Sequence, residues 1–372
     1  MILRNYFRSP YLNVNGERAG GTSGMIVSVR KVIADFHASN CLIVWDGEGG
    51  SQRRKKIYSE YKAGRTVRFN KRDDDMEEDP AAQLENLRKQ LTDAQDYLTM
   101  LGVPQVRAVG VEADDLIAYL AGKMDHPGGV VIVTTDQDML QLIRPWAWLP
   151  DEECVPNAKH MPREGRPGLC SICDAPLTRQ SEVRVYSPVK RIMYDRQTFI
   201  SEYGVLPENF RLVKALTGDK SDNIEGIRGF GAKTVAKAFP GMLDRVMTPQ
   251  QVLDASPTLG KVLGKRLAAE ESRFRENLTL VDLSVPMLSA TAARQARDAL
   301  RADLGCREVE FRVRIVRDGV SFKGDGFVNV FRELVHRRRR LLAETTANGI
   351  AEVEAPAEDR LPATEASDGQ PQ

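Results

Sequence analysis

Apolar residues in the first part of the chain alternate between helical and strand patterns. From Met25 to Phe36 they follow the spacing of an amphipathic helix, and a short apolar run follows at Cys41–Trp45. A second long helix is predicted between Leu84 and Leu101, and a strand near Gln105–Val109 comes after it. The same order of helix and then strand therefore occurs twice.

A third repeat completes the pattern. A helix is predicted from Glu112 to about Met124, and the β-branched run Val130–Thr135 follows as a buried strand. Helices that alternate with buried strands are typical of a mostly parallel sheet with helices on both faces. The sequence therefore predicts an α/β fold.

The second half of the chain changes character several times. Six prolines interrupt a segment that carries a Cys/His cluster, a Gly-punctuated helical stretch follows, Glu310–Val316 alternates like an edge strand, and His336–Arg340 is a basic run. The last residues are polar and are expected to be disordered. The predicted divisions are an α/β core at 1–144 and 184–210 with a helical arch near 50–80, an insertion at 145–183, a helical module at 211–285, a C-terminal extension at 286–340 and a disordered tail at 341–372.

Charge and composition narrow the function classes. The 372 residues include 53 Lys+Arg and 52 Asp+Glu, so nucleic-acid binding would have to come from local patches. No apolar stretch approaches the ~18 residues of a membrane span, and no secretory pattern follows Met1, which favours a cytoplasmic protein. Five cysteines in a chain this long do not resemble a disulfide framework.

Acidic residues follow all three predicted core strands. Ligands of open parallel sheets bind beyond the carboxyl ends of the strands, where these carboxylates would converge. Each acid alone could instead cap a helix or complement its dipole. Together they would repel each other unless divalent cations neutralised them, and oxygen ligands favour two Mg²⁺ or Mn²⁺ ions that act on a phosphate. The acids are Asp46, Glu112, Asp114, Asp115, Asp136 and Asp138.

A basic segment lies beside these acids in the sequence. From Arg53 to Arg72 nine basic residues accompany one acid, Glu60, which gives a local charge of 9 − 1 = +8. Phosphate is the natural partner of such a segment, although a solvated helix face paired with the acidic run Asp73–Asp79 is the alternative. The basic residues are Arg53, Arg54, Lys55, Lys56, Lys62, Arg65, Arg68, Lys71 and Arg72.

A Gly-rich stretch marks a third candidate site. Closely spaced glycines before a helix let backbone N–H groups approach a phosphate, although an ordinary turn between helices would also explain them. Asp219 and Asp222 precede the glycines and would connect this stretch to the metal ligands. The candidate DNA contacts here are Gly226, Gly229, Gly231, Lys233 and Thr234.

These stretches together resemble the 5′-nuclease family, which includes flap endonucleases, phage 5′→3′ exonucleases and the N-terminal nuclease domain of bacterial DNA polymerase I. The resemblance covers about residues 1–285. It rests on Val44-Trp-Asp46, Glu60-Tyr-Lys62-Ala-Gly-Arg65, Gly110-Val-Glu-Ala-Asp-Asp115, Thr134-Thr-Asp-Gln-Asp138 and Gly218–Lys233.

The resemblance implies a PIN-like core and specific roles for these residues. Lys62 and Arg65, at the base of a helical arch, would contact the reacting phosphate. All eight acids, with Asp219 and Asp222 included, would hold or surround the ions. The Gly-rich stretch would be a helix-hairpin-helix module that grips duplex DNA and holds K⁺.

The beginning of the chain departs from the family pattern. Family members begin with a core strand that ends in a metal-binding Asp-Gly, whereas Met1 falls where the next helix should already be under way. We expect this first strand to lie upstream of Met1. A catalytically weakened protein that only binds DNA structures in replication is the alternative.

A cysteine cluster occupies the insertion. Cys170 and Cys173 form a C-x₂-C pair, and Cys154 with His160 would complete a structural Zn²⁺ site; reduced cysteines in a loop are the alternative.

The favoured function is structure-specific 5′→3′ exonuclease or flap endonuclease activity in DNA replication or repair. The expected partner is DNA with a 5′ flap, nick or single-stranded 5′ end, and RNA primers and replication proteins are further candidates. An RNA-directed nuclease of the PIN type is less favoured, because the Gly-rich module suits duplex DNA.

Overall fold

The computed structural model describes residues 5, 9, 11–64, 80–124, 126, 128–150, 162–163, 166–170, 177–324 and 326–347. Within them the fold is a helix-rich α/β arrangement with small sheets, which confirms the predicted fold class.

The first part of the chain alternates helices with short strands. Its helices are α1 (Gly20–Asp35), α2 (Gln52–Ile57), α3 (Pro80–Met100) and α4 (Ala113–Lys123). Its strands are β1 (Ile43–Trp45), β2 (Gln105–Arg107) and β3 (Val130–Val133), at the three predicted places.

The middle of the chain contributes strands and one short helix. The strands are β4 (Ala147–Pro150), β5 (Pro162–Arg163), β6 (Arg166–Cys170), β7 (Leu177–Gln180), β8 (Val183–Ser187) and β9 (Ile192–Tyr194). Helix α5 (Arg196–Tyr203) follows, with Asp195 as its N-cap.

The last part of the described chain is almost entirely helical. Helix α6 (Phe210–Thr217) leads into the two-residue strands β10 (Gly218–Asp219) and β11 (Ile224–Glu225). The later helices are α7 (Ala232–Ala238), α8 (Gly241–Asp244), α9 (Pro249–Asp254), α10 (Gly260–Ala269), α11 (Glu271–Val281), α12 (Ala290–Arg301), α13 (Glu308–Arg317) and α14 (Asn329–Ala347).

The core strands pair in two small sheets. Strands β1 and β2 are parallel, with Ile43 opposite Gln105. Strand β3 runs parallel to β8, which is antiparallel to β9. Loops rich in acids follow β1, β2 and β3, so these acids lie at the carboxyl ends of the strands.

Two large hydrophobic clusters hold these layers together. In one, α1 and α3 pack against the C-terminal helices, and Tyr97 meets the edge of the Phe311 ring at a centroid distance of 5.7 Å. The other joins β3 and β8 to the helical part through Phe199, Leu216 and Phe274, all fully buried. The strand-end acids and the Gly-rich stretch therefore stand on a shared core.

Two sequence predictions about the C-terminal part are wrong. The segment Glu310–Val316 is helical, within α13, because Phe311 and Ile315 face the core four residues apart while Val313 and Val316 are exposed. The predicted disordered tail begins too early, since α14 continues to Ala347. Residues 348–372 lie outside the described residues.

The insertion holds more regular structure than its prolines indicate. Strand β4 pairs antiparallel with β7, and β5 pairs with β6. Among the described residues, no helix is both long enough and apolar enough to cross a membrane.

Candidate active site

A direct contact joins the end of β1 to the start of α4. The Ala113 amide donates to Oδ1 of Asp46 at 3.0 Å, which places Asp46 at the start of α4. Gly47 allows this approach, because a Cβ there would lie 1.7 Å from the Ala108 carbonyl oxygen. Asp46 therefore lies beside the acids of α4.

Helix α4 presents Asp114 toward the other strand ends. Burial, and then the negative charges of Asp136, Glu112 and Asp46, raise the pKa of Asp114 to about 8, and Lys62 opposes the shift. No group of three metal-binding side chains is already assembled within the described residues. The all-oxygen donors that repel one another at Asp114 nevertheless fit a hard divalent cation.

Glu112 accepts hydrogen bonds on both of its oxygens and is buried. Lys62 Nζ donates to Oε1 at 2.6 Å, while Arg54 Nη1 at 2.8 Å and the Tyr61 hydroxyl at 3.0 Å donate to Oε2. The sequence predicted Glu112 and Lys62 as site residues, but the contact between them and the part of Tyr61 were not anticipated.

The segment around Lys62 is attached to the Gly-rich stretch. The Lys62 amide donates to the Asp222 carbonyl oxygen at 2.8 Å, and Lys62 Nζ lies 4.0 Å from the Asp222 carboxylate. Asn223 Nδ2 also donates to the carbonyl oxygen of Glu60 at 2.9 Å. The described base of the predicted arch thus contacts both the core and the helical module, while Arg65 lies outside the described residues.

A second lysine, which sequence reasoning missed, lies between two of the predicted ligands. Lys214 Nζ lies 2.6 Å from Oδ1 of Asp138 and also pairs with Asp219. Burial raises the pKa of Asp138 to about 6 although Lys214 opposes it. For Asp219, burial acts upward, but hydrogen bonds from Lys214 and Ser221 bring the pKa down to about 2.

Two glycines fix the loop that carries Asp219 and Asp222. Strands β10 and β11 pair antiparallel, and the backbone beside them is so close that a Cβ on Gly226 would lie 2.2 Å from the Thr217 carbonyl oxygen. Gly218 has a φ of +72°, a conformation that favours glycine. Gly226, predicted as a DNA contact, therefore has a role in backbone packing.

The predicted DNA contacts differ in exposure. Arg53, Lys55 and Lys56 are exposed, whereas Arg54 is only 3% exposed and has no surface for a DNA contact. Lys233 and Thr234 line a groove of about 460 Å³ together with Lys237. Gly229 has a φ of +100°, and Gly231 is the N-cap of α7.

The predicted zinc ligands are largely outside the described residues. Cys154, His160 and Cys173 all lie there, and Cys170 ends β6.

The chain is similar in sequence to known 5′-3′ exonucleases and to bacterial DNA polymerase I. Residues 1–161 match the family described as 5′-3′ exonuclease, N-terminal resolvase-like domain. A Bacillus subtilis 5′-3′ exonuclease is 26% identical over 315 residues, which cover 81% of this chain and 89% of that protein. DNA polymerase I of Mycobacterium leprae is 31% identical over 232 residues, which cover 60% of this chain but only 21% of the polymerase.

A solved structure shares the fold. The bacteriophage T5 flap endonuclease, crystallised as a pseudo-enzyme–product complex with DNA and metal ions, superposes with a TM-score of 0.51 at 23% identity. The superposition covers 80% of this chain and 90% of that one. The sequence matches confirm the predicted resemblance to the 5′-nuclease family, and the superposition shows that the fold is shared.

Proposed function

Because this chain is related in sequence and fold to the 5′-nuclease family, we propose that it is a metal-dependent 5′→3′ exonuclease or flap endonuclease. The observation that carries the proposal is the convergence of strand-end carboxylates on Asp114 with Lys62 beside them. Its substrate would be DNA with a 5′ flap, nick or single-stranded 5′ end, and an RNA primer would be a further substrate. Its place would be in DNA replication or repair.

The oxygen-rich surroundings of Asp114 would hold one Mg²⁺ or Mn²⁺ ion, and the acids around Lys214 would hold a second. Bound ions of this kind lower the pKa of a water molecule and stabilise the leaving oxygen of a phosphodiester. The proposed ligands are Asp46, Glu112, Asp114, Asp136, Asp138, Asp219 and Asp222. Asp115 is their neighbour, but a bidentate ion pair with Arg54 engages both its oxygens.

The two lysines of the site would have different roles. Lys62 stands among the strand-end acids and would stabilise charge that develops on the reacting phosphate, with Arg65 after it in the chain. Lys214 keeps Asp138 and Asp219 close together through its ammonium group. Neither role requires recognition of a DNA base, so cleavage would not depend on the nucleotide sequence of the DNA.

Surfaces on either side of the site would grip the DNA backbone. Arg53, Lys55 and Lys56 are exposed on α2, within the segment predicted to form the arch. Lys233 and Thr234 line a groove on the helical module. A K⁺ ion near Gly229 and Gly231 would add a further contact with the DNA backbone. Backbone contacts of this kind give affinity that falls as salt rises.

Cleavage of a 5′-labelled flap substrate tests the proposal. We expect cleavage with Mg²⁺ or Mn²⁺, none in excess EDTA, and at least a ~10²-fold loss for Asp136→Ala with DNA binding in Ca²⁺ retained. The exposed Asp244→Ala serves as the control. Binding of flap DNA without cleavage in any divalent ion would instead indicate a DNA-structure-binding protein.

A further inference from the structure

A buried arginine connects three separate parts of the molecule. Arg54 Nη1 and Nη2 donate to Oδ2 and Oδ1 of Asp115 at 2.7 and 3.1 Å. Its Nη1 also reaches Oε2 of Glu112 at 2.8 Å, and its Nε donates to the Leu280 carbonyl oxygen at 2.9 Å. These partners lie on α4 and on α11 of the helical module.

The contacts of Arg54 with Asp115 and with Glu112 have different effects. The bidentate pair with Asp115 fixes the plane of the guanidinium, and Asp115 is held in turn by the Met287 amide at 2.9 Å. The fixed guanidinium then restrains one oxygen of Glu112. The other oxygen of Glu112 thereby faces Lys62, in the acidic surroundings of Asp114 where the reaction is proposed to occur.

The charges of this cluster also favour a fixed orientation of the Glu112 carboxylate. Arg54 and Lys62 face Glu112 and Asp115, so the four groups sum to zero, and Asp114 and Asp136 supply the negative charge outside it. A cation that enters beside Asp114 meets a Glu112 whose orientation is already set. A group held in this way loses little conformational freedom when it binds an ion.

We propose that Arg54 is a positioning residue that orients Glu112 for the divalent ion, with Asp115 holding the guanidinium rather than the ion. The inference rests on the proposed metal-dependent function. It predicts that Arg54 acts on metal affinity, whereas a residue that only supports the fold would act on stability alone.

The experiment compares two buried arginines in the full-length chain. Arg54→Lys keeps the charge but loses the fork, and Arg338→Lys is the matched control, because Arg338 is fully buried and donates to the carbonyl oxygens of Gly102 and Leu304 away from the site. Mn²⁺ binding is measured by electron paramagnetic resonance, with thermal melting and single-turnover flap cleavage over a Mg²⁺ titration.

We expect Arg54→Lys to weaken Mn²⁺ binding and to raise the Mg²⁺ midpoint by about 10–100-fold, and Arg338→Lys to change neither by more than about twofold. Arg54→Gln, whose side-chain nitrogen ends at the level of the Arg54 Nε and cannot bridge Asp115 and Glu112, gives the same comparison if the lysine variant does not fold. Unchanged metal affinity in a folded Arg54 variant, or an equal loss in Arg338→Lys, would overturn the inference. A wild-type chain that neither binds Mn²⁺ nor cleaves DNA would overturn the proposed function itself.

Discussion

The ammonium group of Lys214 lies 2.6 Å from Oδ1 of Asp138, so a residue of the helical module neutralises an acid that follows a core strand. Lys214 also contacts Asp219, the first acid of the Gly-rich stretch. The two halves of the proposed site are therefore joined by an internal cation before any substrate binds.

Removing this cation should change the pH dependence of cleavage. Lys214→Met leaves Asp138 without the charge that opposes its raised pKa of about 6, so that pKa should rise further. Less of the carboxylate is then ionised at neutral pH, and the acidic limb of the pH–rate profile should move to higher pH. Single-turnover rates from pH 5 to 9 measure the shift, and Lys214→Arg should retain most of the wild-type profile. An identical profile for Lys214→Met would show that Lys214 does not act on Asp138.

Without metal, the stability of the protein should fall as pH rises. Asp114 has a folded-state pKa of about 8, above its ordinary 3.8, so the folded chain keeps this proton after the unfolded chain has lost it. Stability in EDTA should therefore decline between these two pH values and level off above about 8. Mg²⁺ should stabilise the protein more at pH 8 than at pH 6, because the ion replaces the proton.

Melting curves of Asp114→Asn provide the control for this pH dependence. The variant should be more stable than the wild type in EDTA at pH 8, by at least ~1 kcal/mol, because a neutral amide replaces the repelled carboxylate. It should also have lost cleavage. Equal slopes of melting temperature against pH in the two proteins would contradict the assignment.

Variants of Lys62 and Lys233 should distinguish the chemical step from DNA binding. Lys62 contacts Glu112 within the acid cluster, whereas Lys233 lines the groove on the helical module. Lys62→Ala should lower the single-turnover rate by ~10²–10³-fold with little change in Kd. Lys233→Ala should weaken binding and reduce the slope of log affinity against log salt by about 1. If both variants lose affinity alone, the role given to Lys62 is wrong.

Features that depend on neighbouring residues in the sequence were the predictable ones. The buried face of α1 and the acids after β1, β2 and β3 follow from periodicity and from the rule that parallel strands end at one edge. The wrong strand prediction for Glu310–Val316 has the same origin. Phe311 and Ile315 are four residues apart, a spacing that fits both a strand face and a helix face.

Features that depend on distant partners could not be predicted. Arg54 belongs to a basic run that suggests phosphate binding, and only its contacts with Asp115 and Leu280 show that it is buried. Lys214 is likewise one lysine on an apolar helix until Asp138 is placed beside it. In both cases the partner lies tens of residues or more away along the chain.

Two glycines of the Gly-rich stretch should respond differently to alanine. A Cβ on Gly226 would lie 2.2 Å from the Thr217 backbone, whereas a Cβ on Gly231 would meet nothing within 4 Å. Gly226→Ala should destabilise the protein by ~1–3 kcal/mol and reduce cleavage, because it displaces the loop of Asp219 and Asp222. Gly231→Ala should leave the melting temperature nearly unchanged. Urea unfolding measures both, and equal stability of the two variants would contradict the close packing of β10 and β11.

The insertion offers a test that is independent of the nuclease centre. We propose that Cys154, His160, Cys170 and Cys173 bind one Zn²⁺. This Zn²⁺ would be structural, because a tetrahedral site with four protein ligands leaves no open position for catalysis. Protein purified without chelator should carry about one zinc per chain by mass spectrometry of the metal. Cys170→Ser with Cys173→Ser should remove the zinc and keep Mg²⁺-dependent cleavage, since the proposed Mg²⁺ ligands lie outside the insertion. Cys306→Ser is the control, because Cys306 packs beside the cluster of α1 and α3 and should not change the zinc content. Zinc-free wild-type protein would contradict this site, and the cysteines would then be ordinary reduced thiols.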